Sequence, residues 1–250
     1  MKNTICEGDN LFWLSRIKDS SVDLIYIDPP YNTGHRQKRN TDHSYEDSFS
    51  NYKKFLIPRL LEAKRILKAT GSIFVQLDEN EAHYVKVWLD KIFGRSNFRN
   101  EIIWAYDFGA RSKKRWSNKH DSIFWYSNSN NFTFNYEAID RIPYLAPGLC
   151  GPKKAAIGKT PTDVWWNTIV SPMGKEKTGY PTQKPLSILN RIVKVHSNKK
   201  DICVDFFSGS GSFAHSCLLN KRQFLVVDEN PQAISVMRSR LGKNIRYLHK

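Results

Sequence analysis

The fold is decided by the stretch Val22-Asp23-Leu24-Ile25-Tyr26-Ile27-Asp28-Pro29-Pro30-Tyr31. Its first part is a hydrophobic run with β-branched residues, which predicts a buried strand. Pro30 has no N–H and restricts the residue before it, so we expect the chain to leave the sheet there in an extended conformation. Asp28 and Tyr31 should therefore lie on stiff backbone at the carboxyl edge of a strand, which is where open α/β sheets bind ligands.

Strands and helices alternate in both end regions of the chain, which predicts an α/β fold with a mostly parallel sheet. Strands are expected over residues 3–6, 22–27, 71–77, 201–205 and 223–227, and helices over 9–17, 50–68, 80–93, 185–193, 212–220 and from 231 onward. The pattern changes in the middle, where 101–106 and 121–126 are strand-like and a turn over 128–131 leads into a short run over 132–135, as in a hairpin.

A glycine motif follows the predicted strand over 201–205. Gly209, Gly211 and Ala214 fit the pattern G-x-G-x-x-G/A between a strand and a helix, where small residues allow a sharp turn and close approach to a ligand. Asp228 lies 19 residues after Gly209, a spacing that suits an acid binding a ribose hydroxyl pair. A dinucleotide and S-adenosylmethionine both fit this pattern, so two cofactors remain open at this point.

Composition and charge indicate a globular protein with a polyanionic partner. The chain has 250 residues, 40% of them hydrophobic, and its formal net charge of +15 favours nucleic acid or an anionic membrane as a partner. No apolar run is long enough to span a membrane and no signal-like leader is present, so we expect no membrane association. The four cysteines are scattered and the seven histidines form no ligand pattern, which predicts reduced thiols in the cytoplasm and no metal site.

Positive charge is concentrated where the regular pattern of strands and helices is absent. Residues 101–200 carry sixteen Lys and Arg against seven Asp and Glu, a net charge of +9. A polar segment over 32–40, expected to be a mobile loop, contributes Arg36, Lys38 and Arg39, and the segment 111–116 contributes Arg111, Lys113, Lys114 and Arg115. Each segment is open to two interpretations, a solvated loop or a DNA contact in which basic side chains bind phosphates. The first segment could also close over the site as a lid.

Four motifs in this order resemble one family, the β group of DNA amino-methyltransferases. They are Asp28-Pro29-Pro30-Tyr31, the basic middle region, Thr182-Gln183-Lys184-Pro185, and the stretch 205–211, which is similar to the family's D-x-F-x-G-S-G. The sequence departs from the family at Tyr180, where histidine is common, and at Phe206, where proline often stands. The resemblance implies a Rossmann-like class I methyltransferase fold with circularly permuted motif order. Residues 1–104 would be its catalytic half, 105–175 an inserted target-recognition region and 176–250 its cofactor-binding half.

The resemblance implies methyl transfer from S-adenosylmethionine to a flipped adenine in double-stranded DNA, with Asp28, Pro29, Pro30 and Tyr31 as the catalytic tetrapeptide. The adenine amine is a poor nucleophile because its lone pair is delocalised into the ring. Asp28 and the Pro29 carbonyl would each accept one N–H and free that lone pair. Tyr31 would stack on the base, which cannot be reached inside a duplex. Catalysis would rest on positioning and electrostatics, without a covalent intermediate.

The same resemblance implies the cofactor contacts. Asp205 could accept from the ammonium group, Asp9 would lie near the adenine, and Lys184 would meet the carboxylate at the methionine end. The full set of expected contacts is Asp9, Thr182, Gln183, Lys184, Asp205, Phe207, Gly209, Ser210, Gly211 and Asp228. We also expect a homodimer, a cognate restriction endonuclease that acts separately, and a location in the bacterial cytoplasm, associated with the nucleoid through DNA.

Three alternatives are left by the sequence. Cytosine-N4 is the first, because the assignment of adenine depends on Asp28 at the first position of the tetrapeptide, where serine tends to accompany cytosine. A nucleic-acid-binding protein without activity is the second, although Asp28, Tyr31 and the glycine motif are intact. A nicotinamide-dependent oxidoreductase is the third, and it would explain the glycines and Asp228 but not the tetrapeptide or the basic region.

Overall fold

The computed structural model describes residues 3–39, 43–171 and 173–250, and within 35–46 it describes the backbone strands but not the side chains. The described strands are β1 (Thr4–Glu7), β2 (Val22–Ile27), β3 (His35–Arg39), β4 (His43–Asp47), β5 (Leu67–Leu77), β6 (Phe98–Ala105), β7 (His120–Ser127), β8 (Val164–Trp166), β9 (Ile202–Asp205), β10 (Gln223–Asp228) and β11 (Arg246–His249). The α-helices are α1 (Asn10–Leu14), α2 (Tyr52–Ile66), α3 (Ala82–Phe93), α4 (Pro152–Ile157), α5 (Leu186–His196), α6 (Ser212–Leu219) and α7 (Pro231–Leu241). None of these helices has the length and apolarity that crossing a membrane requires.

Nine strands form one sheet in the order β11-β1-β10-β9-β2-β5-β7-β6-β8. The six strands from β11 to β5 are all parallel, β7 runs antiparallel to β5 and β6, and β8 is parallel to β6. The prediction of an α/β fold with a mostly parallel sheet is therefore confirmed. Parallel strands need crossover connections, and the helices between them supply these.

Helices cover both faces of the sheet, and this explains why strand β2 is hydrophobic at every position except Asp23. Ile25 and Ile27 point into the core on the side of α1, α2 and α3, whereas Leu24 and Tyr26 point into the core on the side of α5, α6 and α7. Successive side chains of a strand face opposite sides, so a strand covered on both sides is hydrophobic over most of its length.

The sheet has a topological switch point between β2 and β9. The chain leaves β2 through α2 towards β5 and leaves β9 through α6 towards β10, which lies in the opposite direction. The Asp23 carboxylate links the beginnings of β2 and β9, because it accepts a hydrogen bond from the Ile202 N–H at 2.9 Å. The same carboxylate pairs with Lys68 of β5 at 2.7 Å. A crevice therefore opens beyond the carboxyl ends of β2 and β9, where such sheets bind ligands.

Three local expectations are corrected by the structure. Strand β7 lies inside the range 105–175 but belongs to the main sheet, where it pairs with β5 and β6. The expected second strand over 132–135 is absent from the described structure, and Phe132 and Phe134 pack instead on Trp125, with ring centroids 5.5 and 5.7 Å away. The segment over 32–40, expected as a loop, contains β3, which pairs with β4, and polar strands of this kind carry no hydrophobic alternation to reveal them.

Candidate active site

Asp28 follows β2 directly and meets a side chain from the other end of the chain. Its Oδ2 lies 2.7 Å from Nζ of Lys184, and its Oδ1 accepts a hydrogen bond from the Tyr31 hydroxyl. Both partners of this ion pair are largely buried, at 17% exposure for Asp28 and 11% for Lys184. The structure thus brings Lys184 to the predicted catalytic acid, whereas the sequence suggested that it meets the cofactor carboxylate.

The tetrapeptide and the glycine turn line one cavity of about 250 Å³. Asp28 and Tyr31 contribute from the end of β2, and the turn after β9 contributes residues 206–210. The other expected contacts in the lining are Pro29, Pro30, Thr182, Gln183, Lys184, Asp205 and Asp228. Of the predicted cofactor contacts, Asp9 and Gly211 lie outside the lining.

The Asp9 carboxylate is engaged elsewhere. It accepts from the Phe12 N–H at 2.9 Å as the N-cap of α1, and it pairs with Arg59 at 3.2 Å. Arg59 also donates to Asn10 at 2.5 Å, and the Asn10 amide donates to the Phe206 carbonyl at 2.8 Å. Arg59 and Asn10 line the cavity and Asp9 does not. Sequence reasoning missed both, although Asn10 directly follows the Gly-Asp turn that it singled out.

The glycine turn is held by Asp228 and by its own packing. The Gly209 N–H donates to Asp228 at 2.7 Å, and the Asn230 N–H donates to the other carboxylate oxygen at 2.9 Å. Gly211 has φ +71°, and a Cβ there would lie 2.6 Å from Cγ of Met237 in α7. The second glycine is therefore required by helix packing and backbone conformation, and its closest neighbour is a protein side chain.

Asp205 gives the cavity a buried acid. It lies at the end of β9 with 3% of its surface exposed, and it accepts from the Phe207 N–H at 2.9 Å. Burial raises the pKa of this carboxyl well above its ordinary value, and the nearby charges of Asp28 and Asp228 add to the effect. No ion pair to Asp205 is found among the described residues, so a cationic ligand group such as an ammonium would fit here.

A buried polar chain runs from the tetrapeptide into the sheet. The Tyr31 hydroxyl also lies 3.2 Å from Asp121 of β7, which accepts from Gln76 at 2.7 Å, and Gln76 accepts from the Tyr26 hydroxyl at 2.7 Å. Burial raises the pKa of Asp121, whereas the charge of Lys184 lowers it. Sequence reasoning missed Asp121, whose only signal is a charged residue at the start of a predicted strand.

A second cavity of about 550 Å³ lies beside the first, and Tyr31 lines both. Asp121 and Tyr106 also form its wall, and its cationic lining residues are Arg111, Arg115 and Lys119. Arg111 pairs with Asp107 at 2.6 Å in an exposed contact. Lys113 and Lys114 are exposed on the same loop outside the cavity. The predicted DNA contacts Arg36, Lys38 and Arg39 have side chains outside the described residues.

The donor set agrees with an organic cofactor. Acids at Asp205 and Asp228 suit an ammonium and a ribose, and an aromatic wall is present where Phe207 packs on Phe55 with centroids 5.9 Å apart. Among the described residues, no group of three or more His, Cys, Asp or Glu is arranged to hold a metal ion.

Comparison with known proteins supports these findings. A family model described as DNA methylase matches residues 22–239. The DNA adenine methyltransferase YhdJ of Escherichia coli strain K12 is 30% identical over 98% of this chain and 84% of its own length. Type II methyltransferase M.HpaI of Haemophilus parainfluenzae is 31% identical over 91% of this chain and 70% of its own length.

Solved structures show the same fold. The PvuII DNA methyltransferase, named as cytosine-N4-specific, has a TM-score of 0.72 at 14% identity and covers 98% of this chain and 88% of its own. A DNA modification methylase named as putative, from Thermus thermophilus and in complex with S-adenosyl-L-methionine, has a TM-score of 0.66 at 18% identity, with 99% and 98% of the two chains covered. With the motifs and the cavity described above, these similarities show that the chain belongs to the DNA methylase family and is a DNA methyltransferase.

Proposed function

We propose that the protein is a site-specific DNA methyltransferase that acts on the N6 amine of adenine. One observation carries this proposal: Asp28, at the end of β2, and the glycine turn, at the end of β9, line the same cavity. An acceptor for amine N–H groups and a site for the methyl donor would then lie side by side. S-adenosylmethionine, when bound, supplies a methyl group that is open to direct displacement.

The residues of the chain would act by binding and orienting the amine. Asp28 and the Pro29 carbonyl each accept one N–H, which draws the nitrogen lone pair out of the ring. The carboxylate of Asp28 is already oriented by Lys184 and Tyr31, so little reorganisation is needed when the base arrives. The thiols of Cys6, Cys203 and Cys217 are buried outside the cavity lining, which agrees with transfer without a covalent enzyme intermediate.

The cofactor contacts are assigned by their chemistry. Asp205 would accept from the ammonium, Asp228 from ribose hydroxyls, and Phe207 would pack against the bound ligand. Gly209, Ser210, Thr182 and Gln183 complete the lining beside them. The ion pair between Lys184 and Asp28 supports an additional role for Lys184, in which it orients the Asp28 carboxylate.

Adenine is favoured over cytosine by two observations. The tetrapeptide begins with Asp28, and the curated relative YhdJ is named a DNA adenine methyltransferase. The cytosine-N4-specific PvuII enzyme shares the fold at 14% identity, and the same acceptor pair would suit either exocyclic amine. Mass spectrometry of nucleosides from DNA methylated by the protein in a methylation-free host tests the choice. We expect N6-methyladenine, whereas N4-methylcytosine would contradict the base assignment and neither product would contradict the activity.

Double-stranded DNA would bind along the carboxyl edge of the sheet. The basic residues Arg111, Lys113, Lys114 and Arg115 are exposed beside the second cavity, and this supports phosphate contacts there. Arg36, Lys38 and Arg39 are proposed as further contacts from the sequence alone. Residues 105–175 would include the target-recognition region, between a catalytic half over 1–104 and a cofactor-binding half over 176–250.

The assembly and the cellular role are also proposed from the family. We expect a homodimer, which light scattering should detect at micromolar protein and which a purely monomeric mass would contradict. Relatives named as type II methyltransferases support a role in which this protein protects DNA from a cognate endonuclease. The protein would then act in a bacterial cytoplasm, in association with the nucleoid. DNA from an expressing host should then resist a nuclease of the same specificity.

A further inference from the structure

The loop over residues 107–119, which joins β6 to β7, is held in a defined shape. Its ends meet where the Tyr106 N–H donates to the Lys119 carbonyl at 3.0 Å, and Asn118 donates to the Glu79 side chain beyond the end of β5. Inside the loop, the Ser112 N–H donates to Ser117 Oγ at 2.6 Å. A compact turn over 112–117 is therefore fastened to the carboxyl edge of the sheet.

Trp116 projects from this turn into solvent. Its exposed fraction is 96%, the highest among the exposed large hydrophobic residues of the described chain. A single exposed apolar side chain is ordinary on a protein surface. Trp116 differs because the turn that presents it is internally hydrogen-bonded, so its backbone is held in place while the large indole remains exposed.

The surroundings of Trp116 point to nucleic acid as its partner. Arg115 precedes it, and Lys113 and Lys114 are exposed on the same turn. Arg115 also lines the second cavity, whose wall includes Tyr31 of the catalytic tetrapeptide. The indole thus follows directly after Arg115, which lines a cavity shared with Tyr31, and it lies on a turn whose cations suit phosphates.

We propose that Trp116 inserts into the base stack of the substrate duplex and occupies the space that the target base leaves when it is extruded. This inference rests on the proposed function. Extrusion of a base costs stacking energy, and an aromatic ring that enters the gap replaces part of that stacking. Arg115 and Lys114 would hold the adjacent phosphates and so fix the position of the indole on the duplex.

The test compares Trp116→Ala with Trp116→Phe on a duplex that carries the methylated sequence, once this has been identified. On a fully paired duplex we expect Trp116→Ala to lower kcat/KM at least about tenfold and to weaken the fluorescence increase of 2-aminopurine at the target position. Trp116→Phe should keep most of the activity. With an abasic site opposite the target base, the kcat/KM of Trp116→Ala should lie within about threefold of the wild-type value, because extrusion of an unpaired base costs little free energy.

Tyr136→Ala is the matched control. Tyr136 is another exposed aromatic, at 54%, but it follows Asn135, whose N–H donates to the Val195 carbonyl in the last turn of α5, at the opposite edge of the sheet. This variant should behave as the wild type on every duplex. Wild-type activity of Trp116→Ala on the paired duplex, or an equal loss on the paired and abasic duplexes, would overturn the proposal. Absence of methyl transfer by the wild-type protein would instead contradict the proposed function.

Discussion

At the scale of single residues, the Asp28 carboxylate is held by groups from two distant parts of the chain. Tyr31 donates to it from the same tetrapeptide, and Lys184 pairs with it at 2.7 Å from the loop before α5. The sequence predicts where Asp28 lies, because a buried strand followed by two prolines leaves few conformations open. It does not predict the partner of Lys184, since a flexible side chain near two anions can pair with either.

The pKa of Asp228 leads to a prediction for cofactor binding. Burial raises the pKa of this carboxyl to about 6. The ionised form is the one that accepts from ribose hydroxyls, so cofactor affinity should fall as the pH falls through 6. Calorimetry should show about tenfold weaker binding at pH 5 than at pH 7.5.

A fall in pH should weaken cofactor binding through Asp228, but through the same carboxyl it should stabilise the fold of the cofactor-free protein. Its folded pKa lies above its ordinary value of 3.8, so the folded state binds the proton more tightly than the unfolded state. The contribution of Asp228 to stability therefore increases as the pH falls from about 6 towards 4.

Asp228→Asn is the control for the binding prediction, because the cofactor affinity of this variant should not fall between pH 7.5 and pH 5. A wild-type affinity that stays constant between pH 5 and 7.5 would contradict the role of Asp228.

At the scale of elements, local patterns predict the strands and helices of the two end regions, but not every neighbour. Strand β7 pairs with β5 over residues 122–127, and no sequence motif predicts this antiparallel pairing. Gly209 and Gly211 mark the turn after β9, yet the reason for Gly211 is the approach of Met237 from α7. Packing partners of this kind depend on which helix crosses which strand, and a local pattern does not contain that information.

The loop over 107–119 leads to a prediction about salt. Lys113 and Lys114 are exposed on it, and each phosphate contact that is lost should reduce the slope of log K against log salt by about one. Lys113→Ala and Lys114→Ala should weaken binding of all DNA sequences alike, as measured by titration from low to moderate salt.

Lys199→Ala removes the same charge from the opposite edge of the sheet, between α5 and β9, and it serves as the control. Its salt dependence should equal that of the wild type. If the three variants lose the same slope, net charge alone accounts for binding, and the loop is not the contact surface.

At the scale of the whole molecule, the order of motifs predicts that the two halves of the chain meet at one cavity. The structure shows that meeting at the switch point between β2 and β9. The sequence predicts this meeting because each motif directly follows a parallel strand, and the carboxyl ends of parallel strands lie at the same edge of the sheet. The sequence does not predict the buried chain through Gln76 and Asp121, because burial of polar groups depends on the assembled sheet.

The stability of the fold should depend on His196 in acid. This residue ends α5 and lies 5% exposed among Phe74, Trp125 and Phe134, where burial lowers its pKa to about 3. The unfolded state takes up the proton below about 6.5 and the folded state does not, so this contribution is lost as the pH falls from 6.5 towards 3.

Urea unfolding of the wild type and His196→Phe at pH 7 and pH 5 measures the effect. Between these values the wild type should lose about 2 kcal/mol relative to the variant, since carboxyl groups titrate in both proteins and cancel. An equal pH dependence in the two proteins would show that burial does not lower the pKa of His196 in the folded state.

The decisive experiment measures two quantities for Asp28→Ala: its rate of methyl transfer to DNA and its affinity for S-adenosylmethionine. Asp28 and the glycine turn line the same cavity, and removal of an acceptor for the reacting amine should lower the rate at least about hundredfold. Calorimetry should show cofactor affinity within about threefold of the wild type, because Asp205 and Asp228 are unchanged. If Asp28→Ala transfers methyl groups to DNA at the wild-type rate, the carboxylate does not orient the amine and the assignment of this site is wrong.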